Sequence, residues 1–254
     1  MEDLFTTEFL LYLGVGFLAQ FVDGVTGMAH SVIANSFLLS LGIPPAQSSA
    51  SVHATRTLTS LASALSHFRL GNIEKGLIKR LLITGMLGGV VGVLLIGQIP
   101  GHYLTSFVAL YLLFVGGRLF WKTLKKREEI DSPEASRGLA LHSGVGGFLD
   151  SLGGGGWGPI VTGKLLSDGY EPAQTVGTVN LVKFFITAVQ TVAFIVTIGI
   201  GDYWRIILGL IIGGILAAPP SAMLCKKLPA KWLLVGVGIL IMVLSLRTLL
   251  GLLL

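Results

Sequence analysis

Residues 150–159 read DSLGGGGWGP, with four consecutive glycines between an aspartate and a tryptophan. The surrounding chain is strongly apolar. Of its 254 residues 52% are hydrophobic and only 12% are charged, whereas soluble domains carry about 25% charged residues. This composition predicts a membrane protein with short polar loops. Because glycine frees the backbone, a glycine run in such a chain predicts a break between two helical segments.

The hydrophobic pattern predicts an all-α, polytopic membrane protein. Crossing the hydrocarbon takes about 20 helical residues, so segments 138–149 and 157–167 are half-length pieces joined by the glycine loop. We expect segments at 4–22, 28–41, 46–68, 77–97, 101–121, 138–149, 157–167, 173–199, 204–224 and 231–253. The whole chain, 1–254, is then one transmembrane domain.

The chain repeats itself at a spacing of 127 residues. Residues 23–56 align with 150–183 without a gap, and 11 of the 34 pairs are identical, including Asp23 with Asp150 and Gly27 with Gly154. Apolar helices share leucines by chance, but not an aspartate, glycines and a Pro-Ala-Gln run in register. We therefore predict two repeats, 1–121 and 138–254, joined by a charged linker at 122–137.

The basic residues predict how the repeats lie in the membrane. Thirteen of the 18 Lys and Arg fall within 69–80, 118–137 and 225–231, which we place in the cytoplasm. Segments 138–149 and 157–167 must then enter and leave on the cytoplasmic side as a re-entrant hairpin. Segments 4–22 and 28–41 form the matching hairpin from outside, although 4–22 is long enough to span alone. The repeats are therefore expected to be inverted.

Other function classes find little support in the composition. The net charge of +5 sits in loops, where membrane orientation explains it, so we expect no nucleic-acid partner. Cys225 is the lone cysteine and no Cys/His cluster has metal-ligand spacing, so we expect no disulfide, metal or cofactor. We expect no enzyme, because no nucleophile motif accompanies His30 or His53. The oligomeric state stays open.

Two cations fall near the middle of predicted spans. Arg56 and Lys183 are repeat partners, and each lies about ten residues into its segment, near the bilayer midplane. Ionisable residues inside a membrane mark functional sites. We predict a substrate site around them, completed by polar partners and by the glycine loop. These additional residues are His53, Asn180, Ser51, Thr178, Gln47, Gln174, Gly27, Gly153, Gly154, Gly155, Gly156 and Trp157.

The two aspartates have alternative roles. Asp23 and Asp150 are able to couple transport to an ion, or to cap the half-helix that follows each glycine turn. They are also able to form internal ion pairs, Asp23 with Arg56 and Asp150 with Lys183. Trp157 is able to fill a helix interface instead of binding substrate.

The duplicated pattern resembles the sulfite exporter TauE/SafE family of bacterial membrane permeases. The resemblance covers nearly the whole chain and rests on a doubled Asp-Gly turn, G-x-x-P-A-Q and polar helix. It extends to Asp23, Gly24, Gly27, Pro45, Gln47 and Arg56, and to Asp150, Gly153, Gly154, Gly156, Pro172, Gln174 and Lys183. The first half departs from the pattern at 28–30, where Met-Ala-His replaces the Gly-Gly-Trp of the second half.

The resemblance implies a multi-pass transporter in the plasma membrane, the inner membrane of a bacterium. We expect it to move a small oxyanion, sulfite or an organosulfonate such as sulfoacetate, by alternating access. The expected partners are this anionic substrate and the lipid bilayer. The alternative is a transporter of another solute, such as a carboxylate or a cation held by Asp23 and Asp150.

Overall fold

A computed structural model describes residues 6–124, 138–199, 201–228 and 230–253, and every regular element in these ranges is helical. A π-helical turn, Gly158–Thr162, leads into α7, and a short 3-10 turn, Gly201–Tyr203, precedes α9. The α-helices are α1 Thr7–Thr26, α2 His30–Ser40, α3 Pro45–Arg69, α4 Lys75–Ile96, α5 Gly101–Leu124, α6 Leu139–Gly153, α7 Gly163–Ser167, α8 Pro172–Thr197, α9 Trp204–Leu224 and α10 Ala230–Leu253.

Six helices in the described ranges are long and apolar enough to cross a membrane: α1, α4, α5, α8, α9 and α10. This confirms the prediction of an all-α, polytopic membrane protein. α2 has 11 residues and is about 16 Å long at 1.5 Å per residue, half the thickness of the hydrocarbon core. α3 is different, because its 25 residues are long enough to span but carry many serines, threonines and histidines.

The two helix breaks have the same local geometry. Gly27 ends α1 with φ of 72°, and its amide donates to Asp23 O at 2.6 Å. Gly154 ends α6 with φ of 64°, and its amide donates to Asp150 O, also at 2.6 Å. A left-handed residue at a helix end favours glycine, so the sequence stops both helices in the same way.

Two segment boundaries differ from the sequence prediction. The predicted segment 4–22 is helical over Thr7–Thr26, and the predicted segment 138–149 is helical over Leu139–Gly153. Each aspartate therefore lies in the last turn of a helix, not in the loop after it. The apolar pattern missed these ends because a helix continues through a polar residue until a residue of left-handed conformation stops it.

Helices with equivalent positions in the two repeats pack in equivalent ways. α1 packs on α9 as α6 packs on α4, and α3 packs on α9 as α8 packs on α4. α3 and α8 also contact each other in reverse order along the chain. His53 of α3 contacts Phe194, Thr57 contacts Thr187, and Glu74, just after α3, contacts Thr178. α3 and α8 therefore run antiparallel to each other, and the inversion of the whole repeats stays a prediction.

The orientation of the two halves in a membrane stays a prediction, as do the domain bounds 1–121 and 138–254. The linker predicted at 122–137 lies largely outside the described residues.

Several of the other glycines lie where a neighbouring helix comes too close for a larger side chain. A Cβ on Gly209 would lie 2.8 Å from Tyr12 Cβ, and one on Gly89 would lie 2.7 Å from Gln190 Nε2.

Candidate functional site

The breaks in α1 and α6 and the middles of α3 and α8 carry a buried cluster of charged residues. Arg56 is the twelfth of the 25 residues in α3, and Lys183 is the twelfth of the 26 in α8. Asp23 of α1 and Asp150 of α6 face them, and none of the four side chains is more than 2% exposed. Two positive and two negative formal charges are therefore enclosed together, away from water.

Asp23 forms one ion pair within the first repeat and one with the second repeat. Lys183 Nζ lies 3.1 Å from Asp23 Oδ1 and 3.4 Å from Oδ2, and it donates to Gly27 O at 2.6 Å. Arg56 Nη2 lies 3.5 Å from Asp23 Oδ1. The alternative that paired Lys183 with Asp150 is therefore wrong for this conformation. Sequence spacing suggested a pair within one half, but the crossing of α3 and α8 brings the lysine of one half to the aspartate of the other.

Asp150 has a different set of neighbours. Its Oδ2 lies 3.4 Å from His53 Nε2, and its Oδ1 lies 4.0 Å from Arg56 Nη1. Its Oδ1 also accepts a hydrogen bond from the amide of Trp157 at 3.4 Å. Each aspartate therefore has a cationic residue or a histidine beside it and an amide donor from the next helix.

Both carboxylates reach across the break to the start of the next helix. Asp23 Oδ1 accepts from the amides of Ala29, at 2.9 Å, and His30, at 3.2 Å. The first amides of a helix have no partner within it, so a carboxylate there is stabilised by hydrogen bonds and by the helix dipole. The amides of His30 and Trp157, at the start of the chain beyond each break, are thus bound to the chain's own carboxylates in this conformation.

The glycine loop is tightly packed. A Cβ on Gly153 would lie 2.8 Å from the Tyr111 ring, one on Gly155 would lie 3.1 Å from Val32, and one on Gly156 would lie 2.5 Å from the amide nitrogen of Asp150. All four glycines are buried. The loop needs glycine for close approach to its neighbours, so packing explains the sequence run in this conformation. A substrate contact from its amides stays a prediction.

Side chains from each half also bind the other half's break. Asn35 Nδ2 of α2 donates to Gly153 O at 2.6 Å, and Thr162 Oγ1 of the π-helical turn donates to Gly27 O at 2.8 Å. Asn35 and Thr162 are repeat partners in the 127-residue alignment. The central cluster therefore lies at the interface of two related halves that hold each other's breaks.

Other predicted site residues lie farther from the cluster. Gln174 is exposed at the start of α8, nine residues or about 13 Å along the helix from Lys183. Thr178 accepts a hydrogen bond from the amide of Glu74 at 2.7 Å, at the junction with the start of α4. Gln47 is half-buried at the start of α3, and Ser51 is buried one turn later. Equivalent positions in the two repeats therefore do not make these residues neighbours of the charged cluster.

Two predicted residues are buried in other surroundings. Trp157 packs in an apolar cluster with Leu81, Val161 and Ile186, and its indole nitrogen donates to Ser143 at 3.0 Å. Asn180 Nδ2 donates to Val176 O at 3.0 Å, within its own helix. The contacts of Trp157 are those of an interface residue, the alternative that the sequence left open.

Sequence reasoning missed polar residues that touch the cluster. Ser31 of α2 accepts a hydrogen bond from Arg56 Nη1, and Ser49 donates to Ser151 O at 2.6 Å while its backbone carbonyl contacts His53. Ser31 aligns with Gly158, so the internal repeat did not mark it as a site residue. For Ser49, the polar character of α3 was the sequence feature that could have indicated a role in the site. Its buried polar residues include Ser48, Ser49, Ser51, His53, Thr55, Arg56, Thr59, Ser60, Ser63 and His67.

Comparisons with known proteins point to a membrane transporter. The family model described as sulfite exporter TauE/SafE matches residues 12–248. The probable membrane transporter protein YtnM of Bacillus subtilis (strain 168) is 37% identical over 250 residues, which cover 96% of this chain and 83% of the relative. No solved structure matches. The chain therefore belongs to the sulfite exporter TauE/SafE family and is a multi-pass transporter of the plasma membrane.

Proposed function

We propose that the protein moves a small oxyanion, sulfite or an organosulfonate such as sulfoacetate, by alternating access. The observation that carries the proposal is the state of Arg56. Its guanidinium is buried at the centre of the molecule. Nε has no hydrogen-bond partner within the described residues, and Nη2 has no hydrogen bond there either but lies 3.5 Å from Asp23 Oδ1. A planar guanidinium offers donors in a fixed fork that matches an oxyanion, and buried donors without a partner are costly.

The charges around the cluster favour an anion over a cation. Lys183 and Arg56 both form ion pairs with Asp23, which lies in the last turn of α1 before the break. A substrate oxyanion entering this dry region gains two cationic neighbours. A substrate cation is repelled by the same groups. To reach Asp23 or Asp150 it also has to displace the backbone amides and the Lys183 ammonium that already donate hydrogen bonds to these carboxylates.

The position of the cluster suits alternating access. The cluster contains residues of both halves, and the Lys183–Asp23 ion pair and the Asn35 and Thr162 hydrogen bonds cross between them. Movement of one half against the other changes these contacts and leaves each half's own helices intact. Transporters with internal repeats bind substrate at such an interface, beside broken helices.

A carboxylate is the second candidate substrate, because it offers the same acceptor chemistry to Arg56. The name of the matching family favours a sulfur oxyanion, whereas the printed name of the Bacillus relative specifies only a probable membrane transporter. The size and geometry of the anion therefore have to be determined by transport measurements.

Counterflow in proteoliposomes tests the proposal. Vesicles with the purified protein are loaded with unlabelled sulfite, sulfoacetate, methanesulfonate, acetate or a divalent metal cation, and exchange with the labelled form outside is followed. We expect exchange of sulfite or of one of the two sulfonates, above the level of protein-free vesicles. Exchange of acetate alone would assign a carboxylate, and exchange of the cation alone would overturn the proposal of an anion site.

A further inference from the structure

The imidazole of His53 lies between two oxygen atoms of different kinds. Its Nδ1 is 2.7 Å from the backbone carbonyl oxygen of Ser49, and its Nε2 is 3.4 Å from Asp150 Oδ2. The ring is completely buried, and the ring of Phe194 lies against it with centroids 5.4 Å apart. His53 therefore contacts both oxygens directly.

These contacts favour a proton on each ring nitrogen: Nδ1 faces a carbonyl oxygen, and Nε2, which has no hydrogen-bond partner within the described residues, lies at ion-pair distance from a carboxylate. A carbonyl oxygen only accepts hydrogen bonds, so Nδ1 carries hydrogen. A neutral imidazole then has a lone pair on Nε2, which would point at a carboxylate oxygen across a dry gap. A proton bound between Nε2 and Oδ2 removes this repulsion and satisfies both groups. The hydrogen bond from the Trp157 amide to Asp150 Oδ1 holds the carboxylate in this position.

The formal charges of the cluster give this proton a function. Arg56 and Lys183 balance Asp23 and Asp150, so with a neutral His53 the buried cluster has no net charge. One added proton gives a net charge of plus one. A singly charged oxyanion then enters a site that it neutralises, which avoids an uncompensated charge in a medium of low dielectric constant.

We infer that His53 and Asp150 bind one proton between them and that the protein carries this proton in the same direction as the substrate oxyanion. The inference rests on the proposed function. Only bonds to the proton are made or broken. The proton binds between Nε2 and Oδ2 while the site is open to one side of the membrane. It leaves, after the oxyanion, while the site is open to the other side. The combined movement of a proton and a singly charged anion is electrically neutral.

The other titratable groups near the pair do not offer an equivalent site. Arg56 of α3, Lys183 of α8 and Asp23 of α1 are held in ion pairs, and Tyr111 of α5 interacts electrostatically with Asp150. His30 of α2 is buried, and neither of its ring nitrogens has a hydrogen bond or an ion pair within the described residues. Nε2 of His53 also lacks a hydrogen bond there, but it lies 3.4 Å from Asp150 Oδ2. A proton on His30 gains no acceptor, whereas one on His53 faces Asp150.

The test uses proteoliposomes containing the full chain and labelled methanesulfonate, a singly charged sulfonate that does not titrate near neutral pH. Potassium and valinomycin hold the membrane potential at zero. With one proton per anion, a gradient of one pH unit supports at most about tenfold accumulation. We expect the wild type to approach this ratio. In His53→Gln and in Asp150→Asn, we expect the same internal level of methanesulfonate with and without the pH gradient. The level in each variant is normalised to the rate at which that variant exchanges methanesulfonate without a gradient.

His67→Gln is the matched control. His67 is also buried on α3, but its Nε2 lies 3.1 Å from the carbonyl oxygen of Gly24 and its Nδ1 lies 3.3 Å from the Asn72 amide nitrogen. This variant is expected to keep the wild-type response to the pH gradient. A loss of the response in His67→Gln equal to that in His53→Gln would overturn the assignment of the proton to His53.

The outcomes separate this inference from the proposed function. Absence of exchange of sulfite and of both sulfonates in the wild type refutes the proposed function. Where sulfite is exchanged and methanesulfonate is not, labelled sulfite replaces it as the probe. Exchange in the wild type without any effect of the pH gradient overturns the proton inference alone. Where the variants show no exchange, ring ¹⁵N spectra of labelled histidines in the wild type decide, with His53 assigned from His53→Gln. A doubly protonated His53 near neutral pH supports the inference, and a neutral ring throughout overturns it.

Discussion

Lys183 Nζ on α8 lies 3.1 Å from Asp23 Oδ1 on α1, so the closest ion pair of the central cluster joins the second half of the chain to the first. The same ammonium donates to the carbonyl of Gly27, at the break in α1. Lys183 therefore holds two groups of the other half's broken helix. Because both partners are buried, removing one of them leaves an uncompensated group in a dry environment.

The first prediction uses this pairing. Lys183→Gln is expected to lower the free energy of unfolding by about 3–5 kcal/mol, since it leaves a buried carboxylate short of positive charge. Asp23→Asn combined with Lys183→Gln is expected to recover much of the loss, because the side-chain amide oxygen introduced at position 23 still accepts from the amides of Ala29 and His30. Thermal unfolding in detergent measures both.

The matched control combines Lys183→Gln with Asp150→Asn, which removes the other carboxylate of the cluster. Asp150 is paired with His53 and Arg56, so this double variant is expected to recover little stability. Better recovery with Asp150→Asn than with Asp23→Asn would contradict the pairing across the two halves.

The second prediction concerns the shape of the Arg56 side chain. Arg56→Lys keeps the positive charge but loses the planar fork, so it is expected to weaken oxyanion binding. Loss of one charge-assisted hydrogen bond, about 1.5–3 kcal/mol, corresponds to roughly a tenfold to hundredfold increase in Kd. Arg56→Gln is expected to weaken binding further. Sulfite titration of monodisperse protein gives the Kd.

Arg205→Gln is the control for this prediction. Arg205 is exposed near the start of α9, where its guanidinium lies 5.4 Å from the centre of the Trp204 ring. Its replacement is expected to leave the Kd unchanged. Equal binding by the wild type, Arg56→Lys and Arg56→Gln would remove Arg56 from the proposed site.

The helix breaks were predictable from the sequence, whereas the pairing inside the cluster was not. An aspartate followed four residues later by glycine occurs twice in register, and the left-handed conformation of Gly27 and Gly154 is a local property. The pairing of Lys183 with Asp23 depends on how α3 and α8 cross. A sequence compared with itself shows which residues are equivalent, but not which residues of the two halves come into contact.

The midpoint positions of Arg56 and Lys183 follow from helix length, so they were also predictable. The contacts of Ser31 and Ser49 were not. Serine is common at helix interfaces in membranes, and its short side chain shows no preference for a partner until the helices are packed. Their hydrogen bonds to Arg56 and to the Ser151 carbonyl depend on the packing of α2 and α6 against α3.

The third prediction tests the loop glycines. Gly154 has φ of 64°, and a Cβ there would lie 3.0 Å from the Cβ of Asn35, whose amide binds Gly153 O. Gly71 has a similar φ of 71° with nothing within 4 Å of the Cβ position. The left-handed conformation costs a residue with a side chain about 1–2 kcal/mol at either position. Gly154→Ala is therefore expected to lower Tm more than Gly71→Ala and to reduce the rate of counterflow.

Equal losses of stability in these two variants, with full transport in both, would show that contact with Asn35 matters little. Gly154→Val extends the series, since its branched side chain restricts the backbone further and needs more space. It is expected to insert into the membrane and to abolish transport.

The fourth prediction tests whether the two halves are inverted, with single cysteines in a Cys225→Ser background. α3 and α8 are equivalent helices of the two repeats. Leu41 lies just before α3 and Gln174 lies in the first turn of α8, and both side chains are exposed. An impermeant maleimide is expected to label Leu41→Cys from outside and Gln174→Cys from the cytoplasm. Lys75→Cys and Gln98→Cys, at opposite ends of α4, serve as cytoplasmic and external references. Labelling of Leu41→Cys and Gln174→Cys from the same side would show that the repeats are parallel, and the predicted inversion would have to be abandoned.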